Sequence, residues 1–203
     1  MPHYVRILGE KDVPIPLREI RGQLQQEFPG YRVELEDGTE DAWTQILLAD
    51  SAGDEIAVLE RNPVREGLLG HEEIQEFLGE IRSEEPESAA TWLADFLPSV
   101  RVIYAFQVLN GVEKNRGWDA FWVVGNAIWN EAAGIIQADG EGFSNRDGYH
   151  ILWQFGEHVK GPWKMAVLDE HGNWIPFEMD LGNRGHRRAF LEGRIPKGAK
   201  LLK

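Results

Sequence analysis

The residues whose types could do chemistry crowd into one stretch, IIQADGEGFSNRDGYHILWQF. There Gln137, Asp139, Glu141, Asn145, Asp147 and His150 alternate with glycines 140, 142 and 148. Asp139 and Glu141, at i and i+2 after a strand, offer hard oxygen ligands or an acid and base pair, provided the loop brings their oxygens together. Asp147 extends the set to three carboxylates for a metal, His150 is the candidate base, and Gln137, Asn145 and Asp147 are candidate binding groups. The spacing is not that of an EF-hand, because the sixth position counted from Asp139 is Ser144 where the calcium loop wants glycine.

Asp and Gly are also the ordinary material of turns. On that reading Asn145-Arg-Asp147-Gly148 is the tip of a hairpin and Phe143 is a core plug between glycines. His150 is then a partly buried strand histidine sharing a face with Leu152 and Gln154. Residues 156–163, GEHVKGPW, read as an exposed loop at the opposite end of that strand and are not joined to the acidic turn.

Other chemistry is excluded by what the chain lacks. It has no cysteine, which removes disulfides, thiolate catalysis and cysteine-ligated zinc. Its six histidines contain no i, i+4 pair and no HExxH, and GxSxG, GxxxxGK[ST] and GxGxxG are absent. The expectation is a protein without a cofactor, leaning away from enzymatic activity.

The elements that must position the acidic turn can be read from periodicity. Tyr4–Leu8 reads as a strand, and the helix after Pro14–Pro16 carries Leu17, Ile20, Leu24 and Phe28 on one face. Residues 31–36, 42–50 and 55–61 read as strands, the last two joined as a hairpin. Ile74, Phe77, Leu78 and Ile81 mark a helix whose outside is glutamate. Residues 83–87, SEEPE, read as the entry to a second helix bearing Trp92, Leu93, Phe96 and Leu97. Val100–Leu109 is apolar enough for a central strand covered on both faces. From Asn115 to Glu131, Trp118, Phe121, Trp122, Gly125, Ile128 and Trp129 recur at helical spacing, which predicts a buried face with three indoles on it, ended by Gly134 at positive φ. Strands over 149–155, 164–169 and 174–180 and a short helix near 186–191 complete the chain. The class is α+β, a mostly antiparallel sheet packed against several amphipathic helices, expected as one globular domain over 1–203. One internal echo stands out: Asp50, Gly53 and Ile56 recur as Asp169, Gly172 and Ile175 at identical offsets, which shared turn chemistry explains.

Net charge is −13, unevenly spread. Residues 184–203 carry Arg184, Arg187, Arg188, Arg194, Lys197, Lys200 and Lys203 against Glu192, a charge of +6 that leaves −19 on the rest. Such a body repels nucleic acid, so contact with a polyanion would fall to Arg184, Arg187, Arg188 and Arg194, and packing of this basic segment onto its own domain is the simpler reading. No run of about 18 apolar residues and no charged-then-apolar leader is visible, and the expected location is the cytoplasm. The functional expectation is a non-catalytic, inhibitor- or immunity-like interaction domain for a basic protein. The alternative is a carboxylate- or metal-dependent hydrolase using Asp139, Glu141, Asp147 and His150.

Overall fold

A computed structural model describes residues 3–202; Met1, Pro2 and Lys203, the last cation of the basic segment, lie outside them. The helices are α1 (Leu17–Glu27), α2 (Leu69–Glu80), α3 (Glu87–Phe96), α4 (Gly117–Ala132) and α5 (Arg184–Leu191). The strands are β1 (His3–Gly9), β2 (Arg32–Thr39), β3 (Ala42–Ala49), β4 (Glu55–Pro63), β5 (Val102–Val108), β6 (Gly134–Ala138), β7 (Gly142–Ser144), β8 (Pro162–Leu168), β9 (Trp174–Asp180) and β10 (Lys200–Leu201). The class is α+β with antiparallel pairing. The chain forms two compact units, one from residues up to 72 with 100–134, the other from 73–99 with 135 onward. Neither is continuous in sequence. Among the described residues no helix is long and apolar enough to cross a membrane.

In the first unit the strand order β2-β3-β4-β5-β1 puts the apolar strand β5 between two partners, with Val102 to Phe106 buried. Phe106 meets Phe121 of α4 at 5.0 Å between ring centres, and α1 buries Leu17, Ile20 and Leu24 completely. The buried stripe of α4 is Ala120, Phe121, Val124, Ile128 and Ala132, not the row of indoles expected from spacing. Trp118 is 36% exposed, and Trp122 and Trp129 are half-buried along one edge of that stripe. An indole carries an N–H that needs a partner, and the edge supplies one. Trp118 Nε1 donates to Glu113 at 3.1 Å and Trp129 Nε1 to the Gly134 carbonyl at 2.8 Å.

The end of α4 also differs from expectation. Ala133, at φ 49°, takes the left-handed position, and Gly134 does not. Gly134 is required by close approach instead, since a Cβ there would lie 1.9 Å from the Leu8 carbonyl oxygen. The two neighbours should therefore respond with opposite sign. Ala133→Gly relieves a left-handed alanine and should raise stability by about 1 kcal/mol. Gly134→Ala forces backbone apart and should cost about 3 kcal/mol. Urea midpoints of the two variants check this, and a loss at both positions would contradict it.

In the second unit β10-β9-β8 form a small sheet. Met165, Val167, Phe177, Met179, Leu181 and Phe190 make its core with Phe155. The strand expected over 149–155 is not there. The N–H of His150 goes to Lys164 O, those of Ile151 and Gln154 to Phe143 O and Glu141 O, and that of Trp153 to Glu85 O. Donors sent to three separate places leave no ladder, and only isolated bridges of His150 to Ser144 and Met165 remain.

Candidate functional site

The acidic stretch is built by two successive reversals rather than one. β6 and β7 pair Ile136 with Ser144, Gln137 with Phe143 and Ala138 with Gly142, so Asp139, Gly140 and Glu141 are the hairpin tip. The sequence points to a turn at 145–148 alone; that turn is present, and this hairpin tip precedes it. Gln137 is 4% exposed within the strand, and Phe143 is fully buried edge-on to Phe77 at 5.5 Å, the plug that its sequence position suggested.

The second reversal belongs to Asn145. Its Oδ1 accepts from the backbone N–H of Asp147 and of Tyr149, both at 3.0 Å. Its own N–H donates to Tyr149 O, and Gly148, at φ 80°, donates to Asn145 O. Asp50 and Asp169 do the same. Asp50 Oδ1 accepts from Ala52 and Asp54 at 2.9 Å, and Asp169 Oδ1 accepts from His171 and Asn173 at 2.8 Å. Gly53 and Gly172 hold the positive-φ position, at 91° and 79°. Asn145, Gly148 and Ile151 repeat the Asx, Gly and Ile offsets of the two-copy echo, a third copy hidden because amide replaces carboxylate. Hydrogen bonds into the carboxylate hold both aspartates below the usual carboxylate range, for Asp50 chiefly from Asn115 and for Asp169 chiefly from the Asn173 N–H. Asn145 is 1% exposed and its Nδ2 has no partner among the described residues, so the third copy is a buried, neutral version of the same turn.

The structure does unite two candidates. His150 Nε2 lies 3.5 Å from Glu141 Oε2, an ion pair only when the imidazole is protonated. The imidazole stands edge-on to Trp163 at 4.9 Å and tilted against Phe155 at 5.2 Å. Sequence reasoning sets Trp163 apart from the turn. With 149–155 irregular rather than extended, the two meet. Ser144 faces His150 across an antiparallel bridge, yet no hydrogen bond joins its hydroxyl to the imidazole, and no activated nucleophile results. Asp139, Glu141 and Asp147 are not gathered, and among the described residues no group of three or more His, Asp or Glu is placed to hold a metal. Asp147 is exposed and enters the turn through its N–H.

The basic segment is largely engaged with its own unit. Arg187 donates to the carbonyls of Leu181, Glu157 and Val159 and lies 5.2 Å over Trp153. Arg188 and Arg194 both pair with Glu192. Arg184 lines an open cleft with Glu85, Arg188 and Leu191. Comparison with protein-family models, curated proteins and solved structures finds no match to the chain.

Removing the acceptor oxygen of Asn145 strands two N–H groups, so Asn145→Ala should cost about 2 kcal/mol in urea unfolding. Asp147→Ala should fall within about 0.5 kcal/mol. The reverse order would make Asp147 the residue of consequence. Asp50 carries a pH signature. Its folded carboxylate holds its charge to lower pH than the unfolded one, so its stabilisation is complete above the unfolded carboxylate range and drains away as pH falls through the folded value. The stability gap between wild type and Asp50→Asn should shrink on titration from about pH 5 to about pH 2. A constant gap would refute the charged acceptor.

Proposed function

We propose that the protein is a non-catalytic interaction domain that docks a basic protein partner through the outer face of α2. The reading rests on one observation. Leu68 and Leu69 are 45% and 59% exposed at the head of α2. Leu69 then shares the exposed stripe of that helix with Glu72, Glu76 and Glu80. Ile74 and Phe77 face inward, so the helix is anchored by one side and presents leucine and carboxylates on the other. One exposed leucine needs no explanation, whereas two adjacent ones leading an acidic row match the anchor and the steering charges of a docking surface. Asp147 and His150 supply no comparable surface, because one is part of a turn and the other is packed among rings. The Glu141–His150 pair supports the second reading, a carboxylate-dependent hydrolase.

Immobilised protein offered a cell lysate at about 50 mM salt should retain basic proteins that elute by about 0.3 M, where the Debye length has fallen below about 8 Å. The combined Leu68→Ser, Leu69→Ser, Glu72→Lys, Glu76→Lys variant should lose them, while His150→Gln should keep them. Retention that is indifferent to the α2 substitutions, or confined to acidic proteins, overturns the reading.

A further inference from the structure

A second built site lies in the first unit, away from the acidic turn and independent of the docking reading. Strand register sets Arg61 of β4 opposite Tyr104 of β5, with Ile7 of β1 on the far side, so guanidinium and phenol share one face. In β3 the pairing moves from Gln45 opposite Asp37 to Trp43 opposite Gly38, and the bulge at Thr44 brings Trp43 onto the same face. The Trp43 ring meets Tyr104 at 5.7 Å, and its Nε1 donates to Ile15 O at 2.8 Å, holding the segment before α1 in place as a wall. Pro14, Ile15, Trp43, Arg61 and Tyr104 enclose a cavity of about 70 Å³ that reaches the surface at Asp41 and Ala42.

The cavity is rich in donors. Tyr104 is fully buried and its hydroxyl proton has no acceptor among the described residues, since the neighbouring Arg61 can only donate to it. Burial raises its pKa despite the pull of Arg61, so it stays a protonated donor. The carboxylates nearby already have cations. Asp12 pairs with Arg61 and lies 3.9 Å from Arg65, and Asp41 pairs with Arg18 at 2.6 Å. Two guanidinium groups on the Asp12 carboxylate leave a local excess of one positive charge, and Arg61 has five N–H donors of which Asp12 takes one. An unsatisfied phenol, spare guanidinium N–H groups and a positive balance call for an anionic acceptor with two oxygens. The volume is several times what one water needs, yet small for an aromatic guest.

We propose that this cavity binds the carboxylate of a small aliphatic acid, one oxygen accepting from the Tyr104 hydroxyl and the other from the Arg61 guanidinium. The Trp43 indole N–H resonance is an internal reporter. In the ¹⁵N-labelled full chain, acetate should shift it saturably with a millimolar dissociation constant, whereas acetamide, chloride and benzoate should not. Tyr104→Phe removes one oxygen atom and should weaken acetate binding about tenfold or more, with the fold verified by circular dichroism. Arg61→Lys keeps the charge but loses the fork and should weaken it too, which tests the site even where the tyrosine variant fails to fold. No saturable shift with acetate overturns the proposal, because bulk water or a trapped water then suffices for Tyr104. An equal shift from acetamide, or unchanged acetate binding by folded Tyr104→Phe, overturns it as well.

Discussion

A side-chain oxygen that accepts two backbone N–H groups, with glycine at positive φ on the next corner, governs how this chain turns back on itself. Asp50 makes the β3–β4 reversal this way, Asp169 makes the β8–β9 reversal, and Asn145 turns the chain after β7. Each turn fixes the register of the segment leaving it, because the same residue also exchanges a backbone hydrogen bond with the residue four positions on. Two of the three acceptors are ionised and held so by the donors around them. The third, Asn145, is a neutral amide at 1% exposure, as buried as the charged Asp50.

That interaction decides how the densest polar cluster is read. Asn145, Asp147 and Gly148 are consumed in making a turn, and Gln137 is buried in a strand. What is left with chemical character is a histidine beside a glutamate in a setting of Trp163 and Phe155, without a hydrogen-bonded nucleophile or, among the described residues, a metal cluster. Rows of exposed carboxylates lie elsewhere too, on the outer stripe of α2 and on the edge strand β2. There Glu34, Glu36 and Asp37 also discourage pairing with another sheet.

Much of the fold was legible in the sequence because most elements bury one face and so carry a clean period. The apolar run of β5, the α1 stripe and the β3–β4 hairpin are of this kind. The misses have a common cause, that residue type was taken as a proxy for environment. Tryptophan counted as core, although its N–H drew Trp118 and Trp129 to the rim of α4. Glycine at 134 counted as a helix stop, although contact with Leu8 demands it and an alanine takes the left-handed corner. Residues 149–155 alternate like a strand, but their donors find partners in three separate segments, a long-range fact that no local pattern carries. The meeting of His150 with Trp163 was illegible for the same reason. The third copy of the turn was legible in principle, through Asn145, Gly148 and Ile151, once Asn is allowed to stand for Asp. Tyr104 and Arg61 were not, since only register places them side by side.

Whether partners meet the outer face of α2 or the 137–150 turn is settled most directly by hydrogen–deuterium exchange of the protein alone and with a captured basic partner. Docking on α2 requires added protection over 66–80 with none over 137–150, and protection confined to 137–150 would contradict it.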